Sequence, residues 1–395
     1  MFASAFRHPT FRRYFAGAFL ASVGAEMLNL AVGWQIYEIT HRALDLGIVG
    51  LVQFIPAVAL TLAAGNAADS RDRTRIVVIT TSIMMACAIT LAICVPMQSI
   101  AVIYGVLLVI GCARTFESPA AQALVPGMVP VEDLPNALTW SSTSWQIATI
   151  VGPAIGGVVY IAGAAAVYIT CAVIMAVAAA LTFGLPAQRP DAAERASWER
   201  VREGWKFIRS QPVIFEALTL DLFAVILGGA TALLPLFASD VLHVGTVGLG
   251  LLRSAPATGA AIVALLLANR PLDKGVGAKM LACVGVFGAA TVVFGLSTNF
   301  VVSLIALLVL GGSDMVSVVV RATIVQIRTP DPMRGRVSAF NAICIAASND
   351  LGGFESGLAA AWFGAMPAVV IGGVGTLIVV GIYSLGKLRR VDTLQ

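Results

Sequence analysis

Four stretches of this chain, 76–113, 134–188, 280–313 and 356–386, contain no Asp, Glu, Lys or Arg. A hydrocarbon core about 30 Å thick is crossed by roughly 20 apolar residues in a helix, so each stretch holds two crossings. Breaks fall at Pro96-Met97-Gln98-Ser99, near Gly163, at Ser297-Thr298-Asn299 and at Gly364-Ala365-Met366-Pro367. With the remaining segments this predicts twelve spans: 14–37, 44–66, 76–95, 99–117, 137–160, 164–185, 213–239, 246–268, 279–296, 300–321, 338–361 and 366–386. Composition agrees: 58% of the 395 residues are hydrophobic and 12% charged, against about 25% charged in soluble domains. That excludes an ordinary soluble enzyme. A net charge of +4, carried by dispersed Lys and Arg, excludes a nucleic-acid binder.

Lys and Arg accumulate on the cytoplasmic side of membrane proteins. With twelve spans, 21 of the 25 basic residues fall on the side shared by the two termini, including Arg71, Arg73, Arg75, Arg270, Lys274, Lys279 and six between 189 and 209. Only Arg42 lies opposite, and Arg114, Arg253 and Arg321 lie within spans. Both termini are therefore expected in the cytoplasm. The first span is too long for a cleaved signal sequence and lacks a small-residue cleavage pattern. The six cysteines lie in apolar runs without a CxxC, and His8, His41 and His243 form no ligand cluster. No GxxxxGK phosphate loop is present, so ATP is not implied as the energy source.

The polar stretch 189–211 divides the spans six and six, giving an N-terminal bundle over 1–188 and a C-terminal bundle over 212–395. Within it Trp198, Val201, Trp205 and Ile208 recur at helical spacing among Arg and Glu. This predicts a helix in the cytoplasmic interface, or a solvated linker with incidental aromatics. The halves also align at an offset of 200. Gln53-Phe54-Ile55-Pro56-Ala57 meets Arg253-Ser254-Ala255-Pro256-Ala257, and Gly50, Gly152 and Gly157 meet Gly250, Gly352 and Gly357. At an offset of 204, Ala68-Asp69 meets Leu272-Asp273. Duplicated units of this kind hold substrate near mid-membrane and alternate access by rocking.

Five segments carry a family resemblance. Gly65-Asn66-Ala67-Ala68-Asp69-Ser70-Arg71-Asp72-Arg73-Thr74-Arg75 resembles the G-x-L-a-D-r-x-G-r-k-r loop of the major facilitator superfamily, with Asp72 where glycine is usual. Arg114-Thr115-Phe116-Glu117-Ser118-Pro119-Ala120-Ala121 is similar to its R-x-x-q-G-x-g-a element, and Gly152-Pro153-Ala154-Ile155-Gly156-Gly157 to the G-P-x-x-G-G element associated with antiporters. His8-Pro9-Thr10-Phe11-Arg12 and Pro330-Asp331-Pro332-Met333-Arg334-Gly335-Arg336 resemble the enterobactin-exporter and macrolide-efflux branch. The resemblance implies an all-α membrane protein of two pseudo-symmetric six-helix bundles, with spans 1, 4, 7 and 10 lining a central cavity.

A charge at the bilayer centre costs about 3 kcal/mol or more, so each intramembrane charge needs a partner or a cavity. The cavity spans carry Glu26, Arg114 with Glu117, Asp221 and Asp314. These form the expected substrate and proton pathway. Glu26 is a proton or cation-substrate site, or a structural buried carboxyl. The repeat sets Arg114 opposite Asp314, as a functional pair or as residues with separate partners. Glu117 and Asp221 fall toward the cytoplasmic water boundary. Gly65, Asp69, Arg73 and Arg75 form the expected cytoplasmic gate element, in which Asp69 stands where a carboxylate can serve helix N-terminal N–H groups. Gly152, Pro153, Gly156 and Gly157 allow close helix approach, and Arg253 with Glu355 is a possible outer gate. Trp34, Tyr37, Phe223, Phe237, Trp140 and Trp145 are candidates to stack on a bulky substrate or to anchor span ends.

The expected function is proton-coupled export of an amphipathic small molecule, a drug-like compound or a siderophore, across a bacterial-type inner membrane. Lipid or lysolipid movement, uncoupled metabolite facilitation and a non-transporting receptor are the alternatives. An enzyme is excluded, because no nucleophile–base pair or metal set can be assembled. No cofactor or metal is expected, and the proton gradient supplies the energy. Expected partners are a small-molecule substrate, protons and membrane lipids. No nucleic-acid partner is expected, and the chain is expected to act as a monomer.

Overall fold

A computed structural model describes residues 4–188, 198–269 and 275–391. Arg189, Arg195, Arg270, Leu272, Asp273 and Lys274, on which the charge and repeat readings partly rest, lie outside the described residues. Among the described residues no strand forms, and twelve long helical segments account for the spans. In lipid a backbone must satisfy its own hydrogen bonds, which a helix does within one segment.

The first six are α1 (Pro9–Thr40), α2 (Ala43–Ser70), α3 (Arg73–Cys94), α4 (Ile100–Leu124), α5 (Leu134–Val159) and α6 (Ala164–Phe183). A polar helix, α7 (Trp198–Ser210), follows. Span 7 is interrupted: α8 (Pro212–Leu227) stops, and the chain resumes through short turns, α9 (Leu234–Leu236) and a π turn over Phe237–Val241. Then come α10 (Gly245–Asn269), α11 (Val276–Leu296), α12 (Phe300–Arg328), α13 (Asp331–Phe363) and α14 (Ala365–Tyr383). Among the described residues, eleven segments are long and apolar enough to cross a bilayer. The twelfth, α13, has the length, but Asp331, Arg334, Arg336, Asp350 and Glu355 lower its hydropathy.

The expected breaks have visible causes. Pro96 lies in a tight turn ending at Gln98 with φ +45°, and Gly163 and Gly364 adopt φ +99° and +88°. The Asn299 carboxamide oxygen caps α12 by accepting from the Val301 and Val302 N–H groups at 2.9 and 3.2 Å. Several boundaries differ from expectation: α4 runs to Leu124, past 117, and α13 begins at Asp331, before 338. α12 runs to Arg328, seven residues past 321, because its last turns carry Thr323 and Gln326 without a helix breaker. α2 runs through Asp69 to Ser70, so the family-like segment begins in helix.

The chain forms two compact units, Met1–Ile39 with Val52–Ala196 and Thr40–Leu51 with Ser197–Gln395. In the first, Phe11, Tyr14, Ala120, Leu124 and Ala137 build a buried cluster flanked by Phe6, Phe15 and Trp140. In the second, Ile208, Ile214, Leu218, Met280, Val320 and Ile324 build another. Outside these, large apolar side chains such as Ile161 and Phe183 are exposed, which suits lipid and not water.

α7 belongs to the second unit. Ile208 is fully buried, and Trp205 stacks on Phe340 of α13 with ring centroids 5.0 Å apart. Glu203 pairs with Arg336 at 2.6 Å. The described part of its apolar face is thus seated on protein. The side chains of Trp198 and Val201 lie outside the described residues.

Candidate functional site: charged clusters inside two helical units

α8 brings Asp221 and α12 brings Asp314, Ser317 and Arg321 into the interior of the second unit. The three α12 residues stand at i, i+3 and i+7, which places them on one helix face. Arg321 donates to Asp221 Oδ2, and the Ser317 hydroxyl donates to Asp221 Oδ1 at 3.2 Å. Asp221 is 4% exposed and Arg321 6%. A guanidinium suits this position because it stays charged and offers several donors. Asp221 therefore does not meet water at a membrane boundary, as hydropathy suggested. The rotation of α8 turns it onto α12, and an acid and a base buried together cost less than either alone.

Asp314 lies beside this pair at the middle of α12, about 21 Å of helix from either end. It is half-buried and has no hydrogen-bond or ion-pair partner among the described residues. A small pocket beside it is lined by Asp221, Ala224, Val225, Val284, Phe287, Asp314 and Ser317. Asp221 and Arg321 are the charges that act on it. Its carboxylate and that of Asp221 share one guanidinium, so the cluster's formal charge is −1 when both are ionised.

The first unit holds a second set. Glu26, midway along α1, is half-buried and has no described partner. Its side chain is pressed against α5: a Cβ placed on Gly152 would lie 2.6 Å from Glu26 Cβ. Gly156 meets Met27 in the same way, with a Cβ 3.2 Å from Met27 Cα. Gly152, Pro153, Gly156 and Gly157 are all buried, so the glycine-rich run of α5 is the seam with α1. On α4, Glu117 has the Thr81 hydroxyl within hydrogen-bond reach and Arg114 as its charged neighbour. Within its own unit each member of the expected Arg114–Asp314 pair thus has an electrostatic neighbour.

The gate-like segment is tied to α4 and to the chain after α6 within the first unit. Arg73 donates from Nε to the Ala68 carbonyl and from a terminal nitrogen to the Ala123 carbonyl, each at 3.1 Å. Asp69 occupies the last turn of α2, the wrong end of a helix for N–H capping, and the capping there is done by Asp72. Its Oδ1 accepts from Thr74 N–H at 3.0 Å and from Gln188 N–H at 3.1 Å. Gly65 lies inside α2, and Arg75 is exposed. Arg253 stands on α10. Glu355 stands on α13, where the Ser356 hydroxyl donates to it at 3.4 Å.

Several aromatic candidates are already engaged. Phe237 is fully buried against Phe294 at 4.6 Å, Trp140 packs on Phe6 and Phe15, and Tyr37 is buried. They are core, because their rings fill helix contacts. Trp34 lies 6.5 Å from Tyr160, while Phe223 and Trp145 are exposed. Sequence reasoning missed the Asp221–Arg321 pair, although the Asp314-Ser317-Arg321 spacing on one helix face was the available signal.

The sequence matches the transmembrane secretion effector family over residues 2–395. The chain belongs to that family. It is a multi-pass transporter of the major facilitator superfamily and not an enzyme. It is 27% identical to the enterobactin exporter EntS of Citrobacter koseri over 402 residues, covering 97% of this chain and 93% of that protein. EntS of Escherichia coli O1:K1 / APEC is 26% identical over 407 residues, covering 97% and 94%. Among solved structures, a bacterial homologue of the human lysosomal transporter Spinster, inward-facing and occupied, superposes with a TM-score of 0.75 at 11% identity, covering 95% of each chain. The nucleoside transporter NupG superposes with a TM-score of 0.72 at 14% identity, covering 95% of this chain and 98% of that one. These structural likenesses establish the fold.

Proposed function

We propose that this transporter is a proton-coupled exporter of an amphipathic small molecule, a drug-like compound or a siderophore, in a bacterial-type inner membrane with both termini cytoplasmic. The carrying observation is that each helical unit keeps a carboxyl deep in a span with no hydrogen-bond or ion-pair partner among the described residues, Glu26 on α1 and Asp314 on α12. Such groups are costly in lipid and are retained where protons or ions pass. The EntS relatives support the outward direction and the siderophore class. The antiporter-like glycine run of α5, packed against Glu26, supports exchange.

In this reading substrate enters from the cytoplasmic side, and a proton taken up from outside resets the carrier. The membrane potential contributes about 2.3 kcal/mol per charge per 100 mV, so one proton sustains a useful substrate gradient. Gly65, Asp69, Arg73 and Arg75 serve as the cytoplasmic gate element, and Arg253 with Glu355 as the outer one.

The test is flux from proteoliposomes under an imposed pH gradient and an imposed potential, with enterobactin as the first probe and a panel of antibiotics and lysolipids beside it. Flux that follows the gradient is the expected result. Flux indifferent to both gradients overturns the coupling and favours uncoupled facilitation.

A further inference from the structure

Span 7 gives the second unit a feature that its charge pattern alone does not. α8 ends in mid-span at Leu227, where Gly228 N–H closes the last turn on the Ala224 carbonyl at 2.8 Å. The next N–H groups turn back locally, Ala230 to Gly228 at 2.7 Å and Ala232 to Gly229 at 3.1 Å. The Val225, Ile226 and Leu227 carbonyls therefore have no helical donors beyond them. Neighbouring helices tolerate this by offering glycine. A Cβ on Gly352 of α13 would lie 2.8 Å from the Val225 oxygen, and one on Gly372 of α14 would collide with the Leu227 oxygen. The break is thus built into the packing of three helices.

The broken end of α8 is also a wall of the pocket, through Ala224 and Val225. A helix C-terminus carries partial negative charge, and its effect is strongest where water is excluded. Three independent features then favour one positive charge at the same point. The half-helix end is negative, the Asp221–Arg321–Asp314 cluster has a formal charge of −1, and the Asp314 carboxyl accepts no hydrogen bond from the described residues. Among the described residues no basic side chain lines the pocket. α11 contributes Val284 and Phe287, while its Lys279 is exposed near the start of the helix, and α14 has no charged residue. The thiol of Cys344 on α13 lies within electrostatic reach of Arg321 and Asp221. The one charged residue of α10, Arg253, precedes Pro256, whereas Asp314 follows the Gly311 that packs on Pro256. No group of three or more His, Cys, Asp or Glu suited to a metal ion occurs among the described residues, and the neighbouring guanidinium opposes a metal cation.

We propose that the coupling proton is held on the Asp314 carboxyl, inside the second unit, between the fixed Asp221–Arg321 pair and the broken end of α8. Uptake converts the Asp314 carboxylate to the acid and brings the cluster from −1 to neutral. Release restores the carboxylate. Asp221 keeps Arg321 occupied, so the guanidinium does not lock Asp314 in its ionised form. Ser317 holds Asp221 in that role. This inference rests on the proton-coupled reading above and names the residue that carries the proton.

The test combines a spectroscopic and a transport measurement on the full-length protein in vesicles. Infrared difference spectra are recorded as pH is stepped, watching the carbonyl stretch of a protonated carboxyl. The wild type is expected to show a band that titrates, is missing in Asp314→Asn, persists in Glu26→Gln and returns, displaced, in Asp314→Glu. In parallel, enterobactin flux driven by a pH gradient is expected to become independent of the gradient in Asp314→Asn. If Asp314→Asn keeps the full band or keeps coupled flux, the site is wrong while proton coupling stands. If the wild type shows no coupled flux, the coupled reading falls and this inference with it. Should Asp314→Asn fail to fold, Asp314→Glu decides: an undisplaced band overturns the assignment.

Discussion

The Asp72 carboxylate holds two chain segments far apart in sequence: one oxygen accepts from Thr74 N–H at 3.0 Å and from Gln188 N–H at 3.1 Å. The first bond caps α3. The second fastens the chain leaving α6, and Arg73 N–H donates to the Gln188 carbonyl at 3.0 Å beside it. The related family loop carries glycine here, so this chain has exchanged backbone freedom for a clamp. An N-cap carboxylate contributes about 1 kcal/mol and a backbone bond to a charged group about 1.5 to 3. Asp72→Ala is expected to lower the thermal midpoint of purified protein, while Asp72→Asn retains an acceptor and loses less. Equal midpoints for wild type and Asp72→Ala contradict the clamp.

Arg321 is the sole described ion-pair partner of Asp221, and both are buried. Removing one member leaves an uncompensated charge, a change that costs roughly 3 to 5 kcal/mol. Arg321→Met is expected to destabilise strongly in detergent unfolding titrations. Combining it with Asp221→Leu recovers at least half the loss, because the fully buried carboxylate of the pair is then no longer stranded. A double variant no more stable than the single one contradicts the pairing.

The spans were legible because uncharged runs of sufficient length have few structural solutions, and the breaks fell where Pro, Gly and Asn allow a turn. The charged partners were not. Asp221 and Arg321 are 100 residues apart, and hydropathy does not fix how a helix is rotated about its axis. The end of α12 was misplaced for a related reason: Thr323 and Gln326 read as loop, though nothing there stops a helix. Gly228-Gly229 marked the interruption of span 7, but a glycine pair equally signals close packing, and both meanings apply. Asp72, two residues before Thr74 at a helix start, holds the capping role that the sequence reading gave to Asp69.

Gly152 offers a matched comparison with Gly105. A Cβ at Gly152 meets Glu26 Cβ at 2.6 Å and the Val23 carbonyl at 3.1 Å, whereas one at Gly105 meets nothing within 4 Å. Overpacking costs about 1 to 3 kcal/mol, and Gly→Ala in an open helical position stabilises by up to about 1. Gly152→Ala is therefore expected to lower the thermal midpoint and slow efflux, and Gly105→Ala to do neither. The same behaviour from both variants contradicts the α1–α5 seam.

α7 is fastened by a ring contact and an ion pair of unequal weight. The Glu203 and Arg336 side chains are 52% and 37% exposed, and pairs of that kind contribute at most about 1 kcal/mol. Trp205 packs on Phe340 and Phe215, and aromatic pairs add about 0.5 to 1.5 kcal/mol beyond the area they bury. Trp205→Ala is expected to raise protease cleavage in the 198–210 segment several-fold, and Glu203→Gln to leave it nearly unchanged. The reverse order contradicts a helix seated by its aromatic face.

The most direct measurement of the central claim reads the proton itself. Vesicles loaded with enterobactin and a trapped pH dye, with no initial pH gradient and the potential clamped, are diluted into substrate-free buffer. Exchange predicts that the lumen acidifies as substrate leaves, in wild-type vesicles and not in those carrying Asp314→Asn. Substrate leaving wild-type vesicles with no change in lumenal pH would contradict it.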